Sequence, residues 1–160
     1  MRIRKIEPHD NPEVAKIIRT SLEELGFNQP GTAYFDPQLD YLFEYYQNRK
    51  HSQYWVMLKG KEIIGGIGID TLNDVPETCE LQKLYLKKEF QGQGLSKKLM
   101  TYALSYAKEY YLSCYLETHT ELEAAHKLYE QFGFKQLEQP LVDTSHGSMN
   151  LWMVKRLDRF

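Results

Sequence analysis

The chain has 160 residues, with 20 basic and 22 acidic side chains and a formal net charge of −2. That balance leaves no basic face for nucleic acid, and no apolar run approaches the roughly 18–20 residues that cross a bilayer. Met1 to Lys5 is charged without an apolar stretch behind it, which reads as a cytoplasmic protein without a secretory leader, and the length fits one domain over 1–160. The two cysteines, Cys79 and Cys114, have neither metal-ligand nor redox spacing; they are expected to be plain buried thiols, and no metal is expected.

Taken in chain order, Arg2 to Glu7 alternates apolar and polar residues, as a half-buried strand does. Asn11-Pro12 has the form of an N-cap followed by proline at the first helical position. Val14, Ile17, Ile18, Leu22 and Leu25 then keep helical spacing until Gly26. Residues 26–35 read as a loop. Asp36-Pro37 repeats the start signal, and Leu39, Leu42, Phe43 and Tyr46 make a second helical face. The pattern then turns to strands at Tyr54 to Leu58 and Glu62 to Asp70, joined by a tight turn at Lys59-Gly60-Lys61, and at Cys79 to Leu86. Gln91 to Gly94 is a glycine-rich loop before a helix carrying Leu95, Leu99, Tyr102, Ala103 and Tyr106. A strand at Ser113 to Thr118, a helix lined by Ala125, Leu128 and Phe132, and strands near 134–138 and 148–156 complete the chain. The expected fold is α/β (α+β), with a mostly antiparallel sheet of about seven strands flanked by about four helices.

The segment from Lys83 to Ser96 is strand, loop and helix start. Glycines there let a ligand approach the backbone, and the unpaired N–H groups of a helix start suit a phosphate. A dinucleotide fingerprint would need glycine at Lys97, and a nucleoside-triphosphate loop would need Gly-Lys-Ser/Thr where Gly94 is followed by Leu95. Gln91-Gly92-Gln93-Gly94-Leu95-Ser96 instead resembles the Gln/Arg-x-x-Gly-x-Gly/Ala signature of the GNAT superfamily of acetyl-CoA-dependent N-acetyltransferases. Leu116-Glu117-Thr118 and the run Ala125-His126-Lys127-Leu128-Tyr129-Glu130-Gln131-Phe132-Gly133-Phe134 resemble its second conserved block. Two positions depart from the pattern. Ser96 ends the signature where glycine or alanine is usual, and serine there can cap a helix. Leu122 stands where an asparagine is often found, so no asparagine contact to the cofactor is carried over.

The resemblance implies an N-acetyltransferase that passes an acetyl group from acetyl-CoA to a primary amine by direct attack in a ternary complex. It also implies a splayed pair of parallel strands, 79–86 and 113–118, that admits the CoA arm. Backbone N–H groups of Gln91, Gly92, Gln93, Gly94, Leu95, Ser96 and Lys97 would hold the pyrophosphate. Main-chain groups of Leu84, Tyr85 and Leu86 would pair with pantetheine, one of them polarising the thioester carbonyl. An alkylammonium with a pKa near ~10.4 cannot attack until a base takes its proton. Glu80 is the candidate base, against a plain strand-paired glutamate. Tyr129 is the candidate acid for the departing thiolate, against a helix residue packed under the sheet.

The acceptor wall would draw on Phe27, Tyr34, Phe35, Asp36, Asp40, Tyr41, Tyr45, Asp143 and His146. Its carboxylates favour a cationic acceptor, and a small-molecule amine is expected ahead of a protein lysine. A protein or peptide acetyltransferase and a non-catalytic acyl-CoA-binding module remain the alternatives, in a monomer or a homodimer.

Overall fold

The computed structural model describes residues 1–143 and 146–158. Among them the elements run β1 (Arg2–Lys5), α1 (Asn11–Glu24), α2 (Leu42–Gln47), β2 (Gln53–Lys59), β3 (Glu62–Thr71), β4 (Thr78–Leu86), α3 (Leu95–Tyr110), β5 (Ser113–Thr118), α4 (Glu123–Gln131), β6 (Lys135–Leu137) and β7 (Leu151–Arg156). The order is the one the sequence pattern predicts. The strands form one seven-stranded sheet in the order β1-β2-β3-β4-β5-β7-β6. Neighbours are antiparallel throughout except β4 and β5, which are parallel.

Helices cover both faces of this sheet. Val14, Ile18 and Leu22 of α1, with Leu42 and Tyr46 of α2, pack against Tyr54 and Val56 on one side. Leu99, Met100, Ala103 and Ala107 of α3 and Tyr129 of α4 pack with Trp55, Ile67, Ile69 and Cys79 on the other. Burial on both faces explains why β2 and β3 read as nearly continuous apolar runs instead of alternating ones. Cys79 and Cys114 are neighbours in register and both are buried free thiols. Burial pushes the Cys114 thiol well up, so it stays protonated.

Three local readings are corrected. Asn11 does not cap its own helix; Asp10 is the N-cap. The Asn11 side chain reaches across to α2 instead, accepting from the Phe43 N–H (2.9 Å) and donating to Glu44 (2.7 Å). The second helix is shorter than its apolar spacing suggests: Leu39–Tyr41 is a separate 3-10 turn, and Tyr41 leaves the helical region at φ −134°. Without a capping side chain of its own, α2 starts where Asn11 supplies one. The last strand starts at Leu151 and not near 148, because Ser148 N–H is taken by Gly31 O (3.1 Å) and Met149 N–H by His146 O (3.0 Å).

β4 positions the site. Its pairing with β3 slips: Gly68 faces Gln82 but Gly66 faces Tyr85, so three steps on β4 match two on β3. This is a β-bulge, and Lys83 sits in it with φ +52°. A non-glycine residue in the left-handed region costs roughly 1–2 kcal/mol. The bulge keeps Leu81 and Leu84 on the same apolar side although they are three residues apart. The carbonyl of Lys83 accepts from the buried Tyr54 hydroxyl at 2.8 Å. On its other edge β4 pairs with β5 only at Thr78↔Ser113, Cys79↔Cys114 and Glu80↔Tyr115. Beyond that point β5 stays with β7 and β4 stays with β3, so the two parallel strands separate.

Candidate active site

The gap between β4 and β5 opens into a cleft of about 940 Å³. Of the residues singled out from the sequence, Glu80, Leu84, Tyr85, Leu86, Gln91, Gly92, Gly94, Leu95, Ser96, Lys97 and Tyr129 line it, and Gln93 does not.

One end of the cleft is made of main chain. Gln91 to Gly94 are exposed, and Gly92 and Gly94 have φ of +78° and +77° with open space where a Cβ would stand. Gly94 is the N-cap of α3 and has no side chain to cap with. Ser96 therefore falls inside the first turn and not at the cap. Among the described residues, the N–H groups of Gly92, Gln93 and Gly94 meet no protein acceptor, and the first N–H groups of a helix have none within it. The positive end of the α3 dipole adds to this, with Lys88 and Lys97 on the lining. Gln91 differs from its neighbours: its N–H is already bonded to Lys88 O at 3.2 Å. Its side chain donates to Leu86 O at 3.0 Å, so Gln91 ties the loop to the end of β4.

The other end is made of side chains. Glu80 is half-buried and its Oε1 accepts from Gln82 Nε2 at 2.8 Å. Burial pushes the Glu80 carboxyl up to about 7; the Gln82 hydrogen bond opposes this, Glu117 across the gap adds to it, and His146 and Lys83 oppose it. Glu117, on β5, accepts from the Tyr115 hydroxyl at 2.8 Å. Tyr129 is buried in α4 with its ring edge-on to Phe134. Burial, and a smaller push from Cys114, raise its phenol to about 12, so it is a neutral donor at physiological pH.

A buried ion-pair group closes one wall. Lys83 Nζ lies 2.5 Å from Asp36, and His146 Nε2 lies 2.8 Å from the other carboxylate oxygen. Burial pushes the Asp36 carboxyl up, but the His146 hydrogen bond and the Lys83 charge outweigh it and hold it below the usual range. With Ser148 bonded to Gly31 and Pro30, this fastens the loop after α1 to the segment before β7.

The acceptor wall expected from sequence is mostly elsewhere. Phe27 and His146 line the cleft. Asp36 reaches it only through Lys83 and His146. Asp40 pairs with Arg19 at the surface (2.7 Å), Tyr34 bonds Glu23, and Tyr45 bonds Asp70. Phe35, Tyr41 and Asp143 are exposed. Thr144 and Ser145, beside His146, lie outside the described residues. Gln82, Lys83 and Glu117 line the cleft but carried no expected role. Among the described residues one group has metal-ligand spacing, Glu7, His9 and Asp10. It is not on the cleft, and its Asp10 carboxylate is already taken by Arg4 (2.7 Å) and the Glu7 N–H (2.8 Å).

Comparison with known proteins agrees with this geometry. Residues 19–134 match the acetyltransferase (GNAT) family. The chain is 37% identical over 158 residues to YjgM of Escherichia coli K12, named an uncharacterized N-acetyltransferase, covering 97% of this chain and 94% of that one. A GNAT-family acetyltransferase from Staphylococcus aureus Mu50 superposes with a TM-score of 0.82 at 21% identity, over 98% of this chain and 99% of the other. PaiA N-acetyltransferase from Thermoplasma acidophilum, solved in complex with coenzyme A, superposes with a TM-score of 0.76 at 21% identity, over 97% and 98%. The chain belongs to the GNAT family and is an acetyltransferase.

Proposed function

We propose that the protein acetylates the primary amine of a small cationic molecule, by direct attack on acetyl-CoA held between β4 and β5. The N–H groups from Gly92 to Lys97 hold the pyrophosphate, with Gln91 anchoring the loop. Main-chain groups of Leu84, Tyr85 and Leu86 hold the pantetheine arm, and the N–H of Leu84 or Tyr85 polarises the thioester carbonyl. Glu80, ionised above about pH 7, takes the proton from the ammonium. The freed nitrogen attacks the carbonyl carbon, the C–S bond breaks, and Tyr129 protonates the departing thiolate.

The single observation that carries this reading is that Glu80 and Tyr129 line one cleft whose other end is the unpaired main-chain cradle. A small acceptor is favoured over a protein because Asp36, Lys83 and His146 tie the flanking loops together at the reacting end. Glu80 and Glu117 on the lining favour a cation there.

The test is release of free thiol from acetyl-CoA with a panel of alkyl monoamines, diamines, amino sugars and lysine peptides. Turnover should be fastest with small cationic amines. Fastest turnover on the peptides would replace the acceptor class. No release with any amine, while coenzyme A is still retained, would reduce the protein to a binding module.

A further inference from the structure

We propose that Tyr46 and Gln82 are positioning residues that hold Glu80 as an oriented carboxylate, a role resting on the reading of Glu80 as the base. The Tyr46 hydroxyl donates to Gln82 Oε1 at 2.6 Å, and Gln82 Nε2 donates to Glu80 Oε1 at 2.8 Å. Tyr46 is buried on α2, 1% exposed, and burial raises its phenol well above its ordinary value, so it is a donor at any working pH. Among the described residues Gln82 Oε1 is the one acceptor for the Tyr46 proton, so keeping that proton bonded turns the amide oxygen toward Tyr46 and the NH₂ toward Glu80. The flipped amide would set a carbonyl oxygen against the carboxylate, two acceptors with no proton between them unless Glu80 is neutral. Tyr46 therefore biases the amide toward the ionised, fixed form of Glu80, from an element that does not itself line the cleft.

The sequence makes room for this. Gly68 pairs with Gln82 across β3 and β4. A Cβ on Gly68 would stand 2.6 Å from the Tyr46 hydroxyl oxygen and 2.9 Å from its Cζ. The ring lies where any other side chain at 68 would be. Gly68 thus has a function apart from the phosphate loop.

The other groups acting on Glu80 are Glu117 from β5, Lys83 from β4 and His146 from the segment before β7. Asp70, its register partner on β3, is held by Arg49, Tyr45 and Ser52. None of these is a hydrogen-bond partner of Tyr46 or Gln82, so a shift in variants at 46 and 82 reads the relay.

The experiment is a carboxyl-¹³C titration of the full chain labelled on glutamate, with Glu80→Gln to identify the Glu80 signal. In Tyr46→Phe its midpoint should rise by about half a pH unit, a ~3-fold gain in proton affinity. Gly68→Ala crowds the same hydroxyl, and Tyr54 Cδ2 at 2.9 Å as well, so it should move the midpoint in the same direction. Gln82→Met should shift the midpoint at least as far, and Tyr46→Phe should add nothing to it, because both act through one amide. With the fastest amine of the panel, kcat of Tyr46→Phe should fall ~3-fold at pH 6.5 and recover by pH 9. An unmoved midpoint, additive shifts, or an equal loss at every pH would overturn the relay. A normal pH profile in Glu80→Gln would instead remove Glu80 as the base and leave the relay without its purpose.

Discussion

The two ends of the cleft are built from different materials. At the α3 end the unpaired groups are main-chain N–H groups, and Gly92 and Gly94 leave open space where a side chain would stand. At the other end the lining groups are side chains from β4, β5, α4 and the segment at 146, and Tyr46 of α2 and Asp36 hold several of them from behind. A main-chain site is secured by φ angles and tolerates change in most side chains. A side-chain site depends on burial and on each hydrogen bond in turn. Changes at one end should therefore separate cleanly from changes at the other: binding at the first, proton transfer at the second.

The largest separation is expected at Tyr129. Tyr129→Phe keeps the ring against Phe134 and removes only the hydroxyl that carries the proton. We expect kcat to fall by ~10²-fold, with the Kd for coenzyme A, measured by calorimetry, within about 2-fold of the parent because the cradle is untouched. An unchanged kcat would strip Tyr129 of its role as the acid. A large loss of coenzyme binding would show that the two ends are not separable.

The opposite pattern is expected at Gly94. At φ +77° alanine costs roughly 1–2 kcal/mol in the folded chain, and its methyl would stand beside the open cradle. Gly94→Ala should weaken coenzyme A by ~10-fold, about 1.4 kcal/mol, while kcat at saturating acetyl-CoA stays within about 3-fold. A lost kcat with intact binding would place the pyrophosphate elsewhere.

The same division explains what the sequence made legible. A main-chain site needs a strand, two glycines and a helix start close together, so Gln91 to Ser96 displays it within six residues. The use of Gln91's own N–H escaped, since a 3-10 turn bonded back to Lys88 O has no sequence mark, and so did the place of Gln93 off the lining. The order of elements was legible because apolar periodicity is local. The bulge was also written there: apolar residues sit at 79 and 81 and then at 84 and 86, a change of phase that marks one extra residue. The side-chain end could not be read in this way. Tyr46 meets Gln82 across 36 positions, Asp36 meets Lys83 across 47, and His146 meets Asp36 across 110. Exposed aromatic residues such as Phe35 and Tyr41 have the composition of a pocket wall but face solvent. Folding, not local pattern, decides which of them reaches the site.

The smallest expected effect tests whether the reacting end is held against its own stability. The Glu80 carboxyl, ordinarily near 4.5, is pushed to about 7 in the fold, chiefly by burial. Between those values the folded chain keeps a proton that the unfolded chain has released, so stability falls as pH rises through this window, and the loss is complete above about 7. Glu80→Gln carries no charge and escapes that loss. The carboxylate keeps part of its surface toward the open cleft, where solvent screens it. The gain at pH 8 should thus be about 1 kcal/mol, a Tm rise of about 2–4 °C in a domain of this size. At pH 4.5 the two proteins should melt together, since both then carry a neutral group at 80. Equal melting at both pH values would mean that Glu80 ionises without penalty, and that its environment does not tune it as a base. A rise confined to the higher pH, in a variant that has lost turnover, is the signature of a group kept in an unfavourable state for chemistry.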